Sequence, residues 1–230
     1  MILGSICARG GSRGVPGKAL RMLNGQTLLE IAIVCARGCS ELDAVAVSTD
    51  DAAIAAAARQ HGADVPFIRP ASLAEDATPK WEVFRHLVDA WEKRMKQRVE
   101  LLVDLDVSVP LRCPDDISRC IQVLQSGSAQ VVVTAFTPHR NPYFNMVEQR
   151  ANGFYGIVKP PSEPVHNRHQ APAVYGLSPA VYAIRRTALD EYEHWSRAPM
   201  DIVLIPRARA WDIDDEMDLH IVTMLAEKRR

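Results

Sequence analysis

The chain lacks a paired-cysteine framework. Its five cysteines, Cys7, Cys35, Cys39, Cys113 and Cys120, are odd in number and form no C-x-x-C pair. That argues against a disulfide scaffold and against a zinc ribbon, and points to reduced thiols in a cytoplasmic protein. It lacks charge of one sign: the formal net charge is −1, so no whole-chain pull toward nucleic acid or an anionic membrane is expected. It lacks any apolar run near the ~20 residues a membrane span needs, and the start "MILGSICARG" has no basic flank to read as a secretory signal. It also lacks the two common phosphate motifs. Gly17-Lys18 has Ser12 where a Walker A loop needs its first glycine, and Ala19 where that loop needs a hydroxyl. A G-x-G-x-x-G fingerprint is broken by adjacent Gly10-Gly11 and by Pro16. The seven histidines show no spaced metal pattern such as H-E-x-x-H.

What is present is a globular composition, 47% hydrophobic and 24% charged, with ample material for a core. Short apolar runs alternate with helical spacing. Strands are expected at Ile2–Cys7, Ala44–Ser48, Val65–Ile68, Leu101–Leu105, Gln130–Phe136, Val181–Ile184 and Ile202–Ile205. Helices are expected at Thr27–Arg37, Asp51–His61, Lys80–Lys96, Pro114–Leu124, Thr187–Trp195 and Asp215–Lys228, with Asp50 or Asp51 capping the second. This alternation predicts an α/β fold, a three-layer sandwich around a mainly parallel sheet. Residues 138–178, rich in Pro, Asn, Arg and His around an Asn152-Gly153 turn, read as an inserted hairpin region within one domain spanning 1–230. The basic end "EKRR" reads as a solvated helix terminus.

The first loop, "ARGGSRGVPGK" at 8–18, follows the opening strand. Adjacent glycines let successive backbone N–H groups converge on one oxyanion. Arg9, Arg13 and Lys18 add three cations, enough to neutralise much of a triphosphate, and Pro16 stiffens the loop. Open α/β sheets bind ligands at this edge. Near the other end, Asp212 and Asp214 in "DID" are spaced so that extended backbone turns both carboxylates to one side. That pair suits Mg²⁺, while Asp215 is placed to cap the closing helix.

Together with this loop, "VSTDDAAIAAAA" at 47–58, "RPASLAEDATP" at 69–79, "SVPLR" at 108–112, "APAVYGLSPAVY" at 171–182 and "DIDDEMDL" at 212–219 resemble, in order and spacing, the acylneuraminate cytidylyltransferase family. Those enzymes make CMP-activated sialic acids and related nine-carbon sugars. The resemblance implies a nucleotidyltransferase of Rossmann-like fold that uses CTP and Mg²⁺, releases pyrophosphate, and joins CMP to the anomeric hydroxyl of a 2-keto sugar acid. It implies catalytic roles for Arg9, Lys18 and Asp214, and metal binding by Asp212 and Asp214. It implies nucleotide contacts from Ala8, Gly10, Gly11, Ser12, Arg13, Arg69 and Asp76. It implies sugar contacts from Asp106, Arg168, Gln170 and Tyr175, and a homodimer built through the inserted region. Arg112, which closes "SVPLR", reads equally as a salt bridge or a ligand contact.

The departures are Ala19 in place of Asn, Asp106 in place of Gln, and Ser178 in place of Asn. An acidic Asp106 is expected to repel a sugar carboxylate, or else to help hold a metal or take a hydroxyl proton. The resemblance therefore leaves open an eight-carbon acceptor, another nucleotide, or an inactive homologue.

Overall fold

A computed structural model describes residues 1–228; Arg229 and Arg230, the end of the basic tail, lie outside the described residues. The chain opens with strand β1 (Ile2–Cys7). A tight hairpin follows, β2 (Met22–Leu23) and β3 (Gln26–Thr27). Its turn residues Asn24 and Gly25 have φ of 52° and 90°, the double positive φ such a turn needs. Helix α1 (Leu28–Arg37) starts where the Thr27 hydroxyl accepts from Glu30 N–H. Strand β4 (Ala44–Ser48) leads to α2 (Ala52–Gln60), capped by Asp51 through Ala53 and Ile54 N–H. Then come α3 (Lys80–Met95), β5 (Leu101–Asp104), α4 (Pro114–Ser126) and β6 (Val131–Phe136). The inserted region carries a hairpin of β7 (Val147–Gln149) and β8 (Tyr155–Ile157). The chain returns through β9 (Gly176–Arg185), α5 (Arg186–Glu191), β10 (Met200–Leu204) and α6 (Glu216–Glu227).

The six-stranded sheet has the order β10-β6-β9-β5-β1-β4, and β9 alone runs antiparallel to its neighbours. Alternate residues of each strand face opposite layers. Ile6, Val103 and Val132 pack with Leu29, Ile33, Ile54, Ile121 and Val222 from α1, α2, α4 and α6. Leu3, Leu102, Val131 and Val133 pack with Trp81, Phe84, Trp91 and Leu189 from α3 and α5. These two buried faces make the three layers.

Three expectations change. The helix expected at Thr187–Trp195 runs Arg186–Glu191 and ends where Tyr192 turns extended. Val65–Ile68 is not a strand: one bridge, Ala46 to Asp64, is all that forms before the chain leaves the edge. Pro66 has no N–H for the ladder, and Arg69 N–H is taken by Thr49 O at 2.7 Å. The strand expected at Val181–Ile184 is longer, beginning at Gly176 inside the segment read as an insertion. Pro179 interrupts it where the register shifts between Val133 and Ala135. The buried Thr134 hydroxyl mends the gap, donating to Ser178 O at 2.8 Å and accepting from Val181 N–H at 3.0 Å.

Candidate active site

The loop 8–18 leaves the carboxyl end of β1 and is held by its neighbours. Ala8 N–H donates to Ser48 O at 3.0 Å, and Gly10 N–H to the Asp50 carboxylate at 3.0 Å. Val15 is fully buried and plugs the loop onto the core, while Gly17, at φ 63°, starts the turn Lys18–Leu20. A cleft of about 260 Å³ opens beside it, lined by Ala8, Arg9, Ser12 and Lys18. Arg69, Glu75, Asp76, Lys80 and Asp106 also line it. The Gly10 N–H is committed to Asp50, so a phosphate would have to displace that carboxylate to use it. Gly11 borders open space.

The cations of the cleft are held by internal partners. Arg9 pairs with Asp76 at 2.6 Å, and Arg13 pairs with the other oxygen of Asp76. Asp76 thus spaces the two arginines. Arg69 is buried, with its guanidinium donating to the hydroxyl and carbonyl of Ser48. Lys18 Nζ donates to the backbone carbonyl of Ile213, so the basic loop meets the acidic segment before α6 directly although 195 residues separate them.

Around that meeting point, buried Ile213 anchors its segment by donating N–H to Ser108 O at 2.9 Å, and its neighbours Asp212 and Asp214 both line a second hollow of about 320 Å³. Asp212 is half-buried and Asp214 exposed. Burial pushes the Asp212 carboxyl above the usual range; Asp106 and Asp214 push it further, against the Ser108 hydroxyl and Lys18. Asp215 caps α6 as expected, accepting from Asp218 N–H at 2.9 Å. Asp218 in return accepts from the N–H groups of Asp214 and Asp215, and from the Trp211 indole at 3.0 Å.

Sequence reasoning missed Lys80. Its ammonium lies 2.7 Å from Asp104 and 2.9 Å from Asp106, over the rings of Phe84 and Tyr182. Asp104 is wholly buried and also accepts from the Ser5 hydroxyl at 2.7 Å, its register partner across β1 and β5. Burial alone would lower the Lys80 pKa, but Asp104 and Asp106 hold it well above the ordinary value. Burial opposes ionisation of Asp106 too, yet Lys80 and the Ser108 N–H and hydroxyl bring it down to about 2. Asp106 is therefore a neutralised ion-pair partner and a weak base, not a bare negative charge waiting for a proton. The signal was legible: a lysine in the first turn of a helix, where the dipole disfavours cations, needs a reason.

Arg112 is buried and donates to the carbonyls of Asp106 and Val109 at 2.6 and 2.7 Å, a peg for the strand end. Ala19 is buried beneath the cleft. Ser178 is buried and ties β9 to the Ala210 carbonyl at 3.0 Å. Arg168, Gln170 and Tyr175 are exposed on the inserted region, and within this chain none lines either hollow. Arg168 donates to Pro138 O and contacts His139, and Gln170 accepts from His166 N–H at 3.1 Å.

The cytidylyltransferase family model matches residues 4–219. The chain is 35% identical, over 97% of its length and 94% of the relative's, to a CMP-N,N'-diacetyllegionaminic acid synthase of Campylobacter jejuni. It is 31% identical to the post-translational flagellin modification protein B of Campylobacter coli, over 99% of this chain and 96% of that one. In fold it is similar to a solved CMP:2-keto-3-deoxy-manno-octonic acid synthetase complexed with CTP, at TM-score 0.72 and 17% identity, covering 100% of this chain and 99% of that one. A sheet edge with a basic glycine loop on one side, an aspartate pair on the other and a family model spanning both leaves one assignment: the chain belongs to the cytidylyltransferase family.

Proposed function

We propose that this cytidylyltransferase moves CMP from CTP to the anomeric hydroxyl of a nine-carbon 2-keto sugar acid of sialic, legionaminic or pseudaminic type, with release of pyrophosphate. The observation that carries the reading is the Lys18–Ile213 bond, which sets a cationic loop against the Asp212–Asp214 segment. Lys18 and Arg9 neutralise the triphosphate, with Arg13 as a third cation. Arg69, Ser12 and Ala8 shape the nucleotide end of the cleft. Asp76 releases its arginines to the phosphates as they bind. The N–H groups of Gly10 and Gly11 turn toward phosphate oxygen once Asp50 yields.

Mg²⁺ fits the acidic side. Among the described residues no cluster of three or more His, Cys, Asp or Glu could hold a metal, so a cation here takes two carboxylates and draws its other ligands from phosphate and water. Burial first, and then the charges of Asp106 and Asp214, raise the Asp212 pKa, a cost of ionisation that such a cation would offset. When bound, Mg²⁺ stabilises charge on the α-phosphate and on the leaving pyrophosphate. Asp214, the more exposed of the two, orients the attacking hydroxyl and receives its proton in this reading.

Met146, Val147, Phe154 and Tyr155 are exposed on the hairpin, at 42%, 59%, 75% and 70%, which supports a homodimer that covers them. Such pairing would bring Arg168, Gln170 and Tyr175 toward the partner's acceptor side. The five unbonded cysteines support a reducing, cytoplasmic setting. Among the described residues no helix is long and apolar enough to cross a membrane.

CTP, Mg²⁺ and a panel of these acids should give pyrophosphate, and Asp214→Asn should abolish it while leaving the circular dichroism spectrum unchanged. No turnover with any nine-carbon acid would refute the reading, and an eight-carbon acid or a different nucleotide as the best substrate would redirect it. Sedimentation showing only monomer would remove the dimer.

A further inference from the structure

A 2-keto sugar acid carries its carboxylate on the same carbon as the attacking hydroxyl. If that hydroxyl is delivered beside Asp214, the carboxylate arrives against a wall that is already negative. A cation must meet it there, and most cations nearby are taken. Lys18 holds Ile213 O, Arg9 and Arg13 hold Asp76, and Lys80 holds Asp104 and Asp106. Arg209 holds the buried Asp116 at 2.8 Å, and Arg168 faces Pro138 and His139.

Arg207 differs. It lines the same 320 Å³ hollow as Asp212 and Asp214, is exposed, and forms no ion pair among the described residues. Its guanidinium carbon lies 5.2 Å from the centre of the Trp211 ring. Stacking on an aromatic face restrains a guanidinium while leaving its in-plane N–H fork free for a two-point grip on a carboxylate. The platform is itself fixed: the Trp211 indole donates to Asp218, the carboxylate that also receives Asp214 N–H. One acid thus sets both the stacking surface and the backbone segment that carries Asp214. The turn beneath Arg207 is closed by Ala210 N–H to Arg207 O at 3.1 Å and by Ser178 to Ala210 O. Phe136 and Leu177 supply apolar surface in the same hollow for the carbon face of a sugar.

We infer that Arg207, seated on Trp211, binds the carboxylate of the acceptor, and that this hollow is where the acceptor's reacting end docks. The inference rests on the proposed transfer to a 2-keto acid. It places the carboxylate contact within the chain that holds the acidic pair, rather than on Arg168.

The test uses the full chain, CTP, Mg²⁺ and the best acid of the panel, with pyrophosphate release as one readout and calorimetric binding of the acid as the other. Arg207→Ala should raise KM for the acid at least about tenfold, the scale of a lost charge-assisted pair. Its KM for CTP and its CTP-induced thermal shift should stay within twofold of wild type. Arg207→Lys should restore only part of the loss, because one ammonium cannot reproduce the fork. With the methyl ester of the same acid, wild type and Arg207→Ala should perform alike. An unchanged acceptor KM in Arg207→Ala, in a wild type that turns over, would overturn the inference and leave the proposed function standing. A wild type that neither turns over nor binds any acid would overturn both. A tenfold loss in Arg168→Ala with none in Arg207→Ala would move the contact to the inserted region.

Discussion

A side-chain carbon added to Gly14 would collide with the backbone carbonyl oxygen of Asp214. The basic loop and the acidic segment before α6 are therefore in backbone contact, and only a residue without Cβ allows it. Gly14→Ala should push the two apart, at an overpacking cost of about 1–3 kcal/mol. Pyrophosphate release should fall with it, in a protein that still folds. Gly11, which meets nothing within 4 Å, is the stability control: Gly11→Ala should leave Tm within a degree or so, by differential scanning fluorimetry.

Lys80 holds two carboxylates, one of them wholly buried. Lys80→Met leaves Asp104 charged and unpaired in the core, and should destabilise the fold by roughly 3–5 kcal/mol in urea unfolding. The double variant Lys80→Met, Asp104→Asn should recover much of that loss, since the amide oxygen keeps the bond from Ser5 without the charge. Equal instability in both variants would mean that packing, not charge, is what Lys80 supplies.

Asp106 should give the protein an acid limb. Its folded pKa is about 2 against an ordinary 3.8, because Lys80 and Ser108 outweigh burial. A lowered carboxyl pKa stabilises the fold above the unfolded value, and that contribution is lost as pH falls from about 4 toward 2, by up to about 2 kcal/mol. Asp106→Asn should flatten the urea midpoint over that window. Lys80, raised by the same partners, has the opposite sign: its contribution is full below 10.5 and fades only at higher pH.

Neighbouring aspartates should separate by readout. Asp215→Ala removes the cap of α6 and should lower stability by about 1 kcal/mol, seen as a Tm shift. Asp214→Asn should leave Tm nearly unchanged, because its carboxylate is exposed and caps nothing, and should abolish turnover. A reversed pattern would exchange the two roles.

The sequence alone determined most of the elements and the family's motifs, because both are local. Strand and helix follow from the periodicity of buried side chains, which is written along the chain; so are the caps at Asp51 and Asp215 and the basic loop after β1. Even there, Pro66 overrode an apolar run that read as a strand. Tertiary structure decided what depends on register and chain return. Ser5 meets Asp104 only because β1 pairs with β5, and Lys80 reaches Asp104 and Asp106 only because α3 packs on that face. Partnership also decided charge: Asp106, a bare acid in the sequence, is a neutralised one in the fold, and Arg207, one basic residue among many, lines the hollow of the acidic pair with no carboxylate paired to it among the described residues. Coulomb energy depends on distance through space, and distance along the chain does not fix it.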